Sequence, residues 1–201
     1  MLIPPIYVKP FVKRQKNDAA DAAAICEAMG RPEMRCVPVR SIENQAAKMV
    51  HGVRETLSGQ RTQLLNALRG HLAEIGVIAP QGQQHGCKLA ALIEEAAPDL
   101  PGCVVAALLP LVARQRALEA ALAALARRIA AEARANGDAR LLMTIPGVGP
   151  LKASAIVATL GERGIHQFDG AKNFAAWLGL TPGQHGTGGK ARLGRITKMG
   201  D

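Results

Sequence analysis

The sequence predicts a mainly α-helical protein, and three observations carry that prediction. Aromatic residues make up 2% of the 201 residues while 48% are hydrophobic, so the core must be built from alanine and leucine, a composition suited to packed helices and poorly suited to a β-sandwich. Two long segments, 42–75 and 103–135, repeat apolar residues at steps of three and four, the spacing that lays one stripe along a helix. Glycine, proline and asparagine punctuate the ends of these segments, at Gly30 and Pro32, Gly76 and Pro80, and Asn136 and Gly137.

At the N-terminal end, Ile3, Ile6, Tyr7 and Val8 stand among Pro4, Pro5 and Pro10. That reads as a short extended segment, followed by a basic stretch of Lys13, Arg14 and Lys16. A lone strand cannot satisfy its own ladder, so this reading calls for a sheet beside it. Asn17 is the N-cap of a helix that opens Asp18-Ala19-Ala20-Asp21 and runs through Ile25 and Met29 until Gly30 and Pro32 stop it. Asp18 and Asp21, three apart, share one helical face.

Ser41 caps the first long helix, whose stripe is Ile42, Ala46, Met49, Val53, Leu57, Leu64, Leu68, Leu72 and Ile75. At about 1.5 Å per residue it spans roughly 50 Å, too long for a compact core unless another long helix lies along it. That partner carries Val104, Leu108, Leu111, Leu118, Leu122, Leu125 and Ile129, with Gln115 as the polar member of a heptad series. Pro110 kinks or delays its start, and a short helix over 88–96 lies between the two. The spacing serves an intramolecular antiparallel hairpin and a dimerising coiled coil equally well.

After Asn136 a second compact unit begins. A helix over 139–143 meets Ile145-Pro146-Gly147-Val148-Gly149-Pro150, and a second helix follows over 151–160, which is the pattern of a helix-hairpin-helix. In that motif the amides of Gly147 and Gly149 and the N-terminus of the second helix face a phosphate, with Lys152 adding charge. Any αα-hairpin needs such a turn, so the motif alone also fits plain packing. No G-K-[ST] follows at P-loop spacing. The chain thus divides at 1–40, 41–136 and 137–201.

Twenty-five lysines and arginines against 16 acidic residues leave a formal charge of +9, which points to a polyanionic partner, nucleic acid first and an anionic membrane surface second. Scarce aromatics argue against a base-stacking single-strand binder. Cys26, Cys36, Cys87 and Cys103 form no C-x-x-C pair, so they read as buried or incidental free thiols of a reducing cytoplasm rather than a zinc or redox centre. No leader pattern opens the sequence and no apolar run approaches the ~20 residues of a membrane span. The expectation is a cytoplasmic, nucleoid-associated protein that avoids membranes.

The densest signal lies at 177–200, where a glycine-rich loop, Gly186-Thr187-Gly188-Gly189, leads into Lys190, Arg192, Arg195 and Lys198. Glycines let main-chain N–H groups approach phosphate oxygens, and the cations displace counterions. His185 beside the loop serves phosphate or solvent contact. The segment resembles the C-terminal domain of the insertion sequence 110 family of transposases, whose pattern runs GLTP, then S-[ST]-G-G-K, then R-x-G-R-I-[ST]-K-x-G. In that family the serine opening S-[ST]-G-G-K is the nucleophile that attacks DNA. Aligned on Gly188-Gly189-Lys190, its position here is Gly186, and Thr187 is the nearest hydroxyl, a substitute only if the loop shifts register.

The resemblance extends through the chain. Lys16 to Ile25, Val37 to Ser41 and Gln60 to Gly76 are similar to the second half of the same family's N-terminal domain, a ribonuclease-H-like fold with an Asp-Glu-Asp-Asp metal site. Asp18 and Asp21 match the last two aspartates of that tetrad. Residues 1–17 contain no carboxylate, and two-metal phosphodiester chemistry needs several; taken without the resemblance, the pair reads as compensation of the helix dipole. The resemblance implies a remnant of the ribonuclease-H-like domain, and a chain truncated at both ends. It further implies DNA strand cleavage and rejoining with Mg²⁺ in intact members, a guide RNA, and a second copy or a full-length transposase as partner. The expectation for this chain is DNA binding without catalysis, and its alternative is a non-enzymatic helix-hairpin-helix module or regulator.

Overall fold

The computed structural model describes residues 2–13, 17–34, 36–37, 39–82, 86–161, 164, 166, 168–198 and 200. Arg14 and Lys16 of the predicted basic stretch lie outside them. The chain is mainly helical and divides into two compact units, Met1–Ile42 and Glu43–Asp201.

In the first unit, α1 (Pro5–Val8) runs into a 3₁₀ turn, Lys9–Phe11, and is followed by α2 (Asp18–Met29). The extended segment predicted here is helical instead. Pro5 occupies the first helical position, where its fixed φ suits the turn and its missing N–H costs nothing, and strand pairing is reduced to one bridge between Leu2 and Val37. Asn17 caps α2 as expected, its Oδ1 accepting from Ala20 N at 2.7 Å. The buried side chains of α2 are Ala24 and Ala28. Ile25 and Met29 stay exposed and line an open groove with Leu2, Ile3, Ile6 and Val12.

In the second unit the 33-residue α3 (Ile42–Glu74) and the 34-residue α5 (Gly102–Ala135) are joined through α4 (Gly86–Ala96). They run antiparallel. Arg61 meets Glu119 at 3.5 Å, while further along α3 Leu65, Leu68 and Leu72 share a core with Leu108 and Val112, which lie earlier on α5. Leu89, Ala90 and Ile93 of α4 complete that core. Burying a leucine contributes about 1.5–3 kcal/mol, so this end of the hairpin anchors the unit. Gly86 marks how closely α4 approaches: a Cβ there would lie 3.2 Å from Gln115 Nε2 and 3.4 Å from Leu65 Cδ2.

Leu108, Leu118, Leu122 and Ile129 of the α5 stripe are buried within the chain. Pro110 does not delay α5, which starts at Gly102 and passes through it. Ala106 and Pro110 both lie on the exposed side, so the carbonyl that loses its donor there faces water. Cys26, Cys36 and Cys103 are free and exposed rather than buried. Among the described residues no helix is long and apolar enough to cross a membrane.

Candidate nucleic-acid interface

The helix-hairpin-helix predicted at 139–160 forms as α6 (Gly137–Leu142), a turn, and α7 (Pro150–Leu160). Asn136 opens α6 by accepting from Ala139 N at 2.9 Å. Ala133 of α5, Ala139 of α6 and Ala153 of α7 are buried together, with Leu142, Met143, Val148 and Val157 packed around them. Small side chains at the three crossing points let the helix backbones close in. In the turn Val148 N donates to Ile145 O at 3.0 Å, and Gly147 takes φ +86, a conformation that penalises any side chain with a Cβ. Gly149 is extended at the N-cap of α7 and Pro150 fills its first position.

Lys152 does not extend freely into solvent. Its Nζ donates to Gly147 O at 3.1 Å, which holds the ammonium over the turn whose glycines were expected to meet a phosphate. On the same helix Ser154 Oγ lies 3.0 Å from His51 Nε2 on α3. Sequence reasoning missed His51, because a partner more than a hundred residues away leaves no local spacing signal. Burial is the main influence on the His51 imidazole and lowers its pKa; Arg54 acts in the same direction, and Glu132 opposes both.

The segment expected as a glycine-rich loop is a β-hairpin. After α8 (Ala171–Trp177), β1 (Pro182–Thr187) and β2 (Lys190–Ile196) pair antiparallel, with Thr187 opposite Lys190, His185 opposite Arg192 and Gln184 opposite Leu193. Gly188 and Gly189 make the turn at φ +58 and +78. Two successive positive values are the mark of a type I′ turn, whose twist matches that of the flanking strands. At the base of the ribbon Thr197 N donates to Thr181 O at 2.9 Å and Lys198 N to Gly179 O at 3.0 Å. Phe168, Phe174 and Trp177 pack ring against ring, with centroids 5.3 to 5.9 Å apart. Gly200 lies against the same segment, where a Cβ would come within 2.6 Å of Trp177 O.

Lys190, Arg192, Arg195 and Lys198 are all exposed, and no acidic residue occurs between Asp169 and Asp201. Asp201 itself lies outside the described residues. Gly186 pairs with Ala191 and has room for a side chain, the nearest atom to a Cβ there being Lys190 O at 3.9 Å. Thr187, one residue on in the same strand, projects to the opposite face.

Asp18 and Asp21 open α2 in the first unit, Asp18 exposed and Asp21 half-buried against the apolar groove. Among the described residues no group of three or more His, Cys, Asp or Glu side chains gathers as metal ligands would. Mg²⁺ takes one or two carboxylates only where substrate phosphates and waters complete its octahedron, so this pair by itself does not fit a two-metal centre.

Residues 139–201 match the family described as Transposase IS116/IS110/IS902, and residues 1–77 match a DEDD-type family of IS110 described as Transposase. A probable family 20 transposase of Pseudomonas aeruginosa is 47% identical over 207 residues, covering 100% of this chain and 59% of that protein. A putative transposase of Sinorhizobium fredii, y4pF/y4sB, is 44% identical over 202 residues, covering 100% of this chain and 51% of its own length. The transposase for insertion sequence element IS1328 of Yersinia enterocolitica is 36% identical over 200 residues, with 100% and 59% covered. The chain thus spans little more than half the length of the curated relatives it matches.

Proposed function

The chain belongs to the IS110 family of transposases, and from that membership we propose that it serves DNA transposition by holding duplex DNA through the helix-hairpin-helix turn and the C-terminal ribbon. One observation carries this reading. Glycines free the backbone at 147–149 and 186–189, and those two places are also where Lys152, Lys190, Arg192, Arg195 and Lys198 present positive charge with no carboxylate between residues 170 and 200. Backbone amides and cations of this kind grip phosphates without reading sequence.

Strand cleavage and rejoining with Mg²⁺, and partnership with a guide RNA or with another transposase copy, are what family membership proposes for the longer relatives. For this chain alone the reading is DNA binding without cleavage. Asp18 and Asp21 supply two carboxylates, and the position aligned with the family's serine is Gly186. Gly186 also favours the second reading, a regulator that occupies DNA or pairs with an active transposase. Binding of the purified chain to a mixed-sequence DNA duplex, followed by fluorescence anisotropy between about 50 and 200 mM salt, tests the first step. The expected result is an affinity that falls steeply with salt and tolerates changes of sequence; absence of binding at low salt would remove the proposal.

A further inference from the structure

The pairing register of the ribbon sorts its side chains in a way the linear sequence conceals. Along a strand side chains alternate between faces, and residues opposite one another in an antiparallel pair share a face. Thr187 with Lys190 and His185 with Arg192 therefore define one face, and Gln184 with Leu193 the other. Continued alternation along β2 would put Arg195 on the second face, with Leu193. The register breaks before that point. Pro182 pairs with Ile196 while Gln184 pairs with Leu193, so two residues of β2, Gly194 and Arg195, stand opposite the single Gly183. That is a β-bulge, and it resets the alternation.

The consequence follows from Ile196. Pro182 and Gln184 lie two apart on β1 and share a face, so Ile196, opposite Pro182, lies with Leu193, and Arg195 next to it returns to the face of Lys190 and Arg192. A Cβ at Gly194 would lie 3.8 Å from His185 Cδ2, which places position 194 on that face too. The ribbon is thus two-sided. One side holds Thr187, His185, Lys190, Arg192 and Arg195; the other holds Pro182, Gln184, Leu193 and Ile196, with Leu193 72% exposed. Glycine at both bulge positions that face the cations, 183 and 194, leaves no side chain to keep a surface away from them.

We propose that the cationic face of this ribbon docks into the major groove of duplex DNA, with Lys190, Arg192 and Arg195 each engaging a phosphate. The inference rests on the DNA-binding reading above and adds the element, the face and the groove. A two-stranded ribbon fits the roughly 12 Å major groove of B-form DNA, and the narrow major groove of A-form RNA excludes it. Lys190 and Arg192, two residues apart, are separated by about 7 Å along the strand. Charge complementarity selects the cationic face over the apolar one.

The test is salt-dependent binding of the full chain to a mixed-sequence DNA duplex. Lys190→Gln, Arg192→Gln and Arg195→Gln should each reduce the salt slope by about one, and Leu193→Gln on the opposite face should leave affinity and slope unchanged. Methyl green, which occupies the major groove, should compete with the protein, and netropsin in the minor groove should not. Inserting one glycine after Gly183 gives each bulge residue its own partner, removes the bulge and turns Arg195 to the face of Leu193, so the slope should fall as it does in Arg195→Gln while the melting temperature confirms folding. An unchanged slope in Arg195→Gln, a loss in Leu193→Gln equal to that in Arg192→Gln, or displacement by netropsin instead of methyl green overturns the proposal. If the unaltered chain binds but none of the ribbon variants matters, the ribbon is excluded and the helix-hairpin-helix reading survives; if the unaltered chain does not bind DNA at all, both fall.

Discussion

His51 Nε2 lies 3.0 Å from Ser154 Oγ, which fastens the long helix α3 to the second helix of the helix-hairpin-helix. The imidazole is half-buried, and burial, aided by Arg54 and opposed by Glu132, lowers its pKa below the ordinary 6.5. The folded state therefore prefers neutral His51. Its contribution to stability is complete above the unfolded value near 6.5 and is lost as the pH falls from there toward the lower folded value, because the unfolded chain then binds the proton first. His51→Gln, uncharged at every pH, should lose less stability between pH 7 and pH 5 than the native chain. Urea unfolding at both pH values measures this, and equal losses in the two proteins would exclude the imidazole as the titrating group.

Leu118 and Leu122 of α5 are 3% and 7% exposed, beside the Arg61–Glu119 pair that sets the two long helices in register. Leu118→Asp and Leu122→Asp each place a carboxylate in an apolar contact and should each cost about 3 kcal/mol or more. Thermal melting reads the loss, and mass measurement at the same time shows whether an oligomer dissociates with it. Unchanged melting in both variants would mean that this stretch of α5 is not the seam.

Gln115 is 1% exposed, and its Nε2 has no hydrogen-bond partner among the described residues. A buried donor without a partner costs about 1–3 kcal/mol. Gln115→Met keeps the unbranched shape and removes the donor, so stability in urea should rise by about 1 kcal/mol. A fall of that size would show that the amide is engaged and that the polar layer with Arg61 and Glu119 is a net stabiliser.

Much of this architecture was legible locally. The Asn17 cap, the aspartates behind it, the long helices ending at Glu74 and Ala135, and the turn at Gly147 and Gly149 each depend on residues within a few positions of one another. The failures have physical causes. Pro4 and Pro5 fit an extended segment and a first helical turn alike, and the sequence does not decide between them. The ribbon has no Phe, Tyr or Trp and only Thr187 and Ile196 as β-branched residues, both at strand ends, so its sequence reads as a glycine-rich loop although Gly188-Gly189 is the strongest hairpin signal present. Its bulge, and with it the common face of the cations, is a property of pairing between strands. The same holds for His51 and Ser154, whose contact exists only once α3 and α7 have packed.

Gly188 and Gly189 both hold positive φ, so Gly189→Val should unmake the turn while leaving every cation in the chain. A β-branched residue in that conformation is strongly disfavoured. If the ribbon's geometry matters and not its charge alone, Gly189→Val should weaken duplex binding by severalfold at fixed salt with the melting of the helical core unchanged. Native affinity in that variant would reduce the ribbon to a charged tail.

The most consequential prediction concerns chemistry. The purified chain should produce no Mg²⁺-dependent cleavage or strand transfer on supercoiled plasmid, because Asp18 and Asp21 supply two carboxylates and Gly186 supplies no hydroxyl. Two aspartates at the start of one helix bind Mg²⁺ weakly, since that ion keeps most of its waters unless several ligands are already arranged around it. Position 186 does have room for a side chain, so Gly186→Ser should fold normally and still not cleave, which separates the missing nucleophile from the incomplete metal site. Thr187 offers no substitute while the strands stay paired, because its hydroxyl projects to the face opposite position 186, and exchanging the two faces requires a one-residue slip of the whole ribbon. Strand transfer by the unaltered chain that disappears in Thr187→Ala would show that such a slip occurs, and would overturn both the assignment of Gly186 and the reading of this chain as a binder without catalysis.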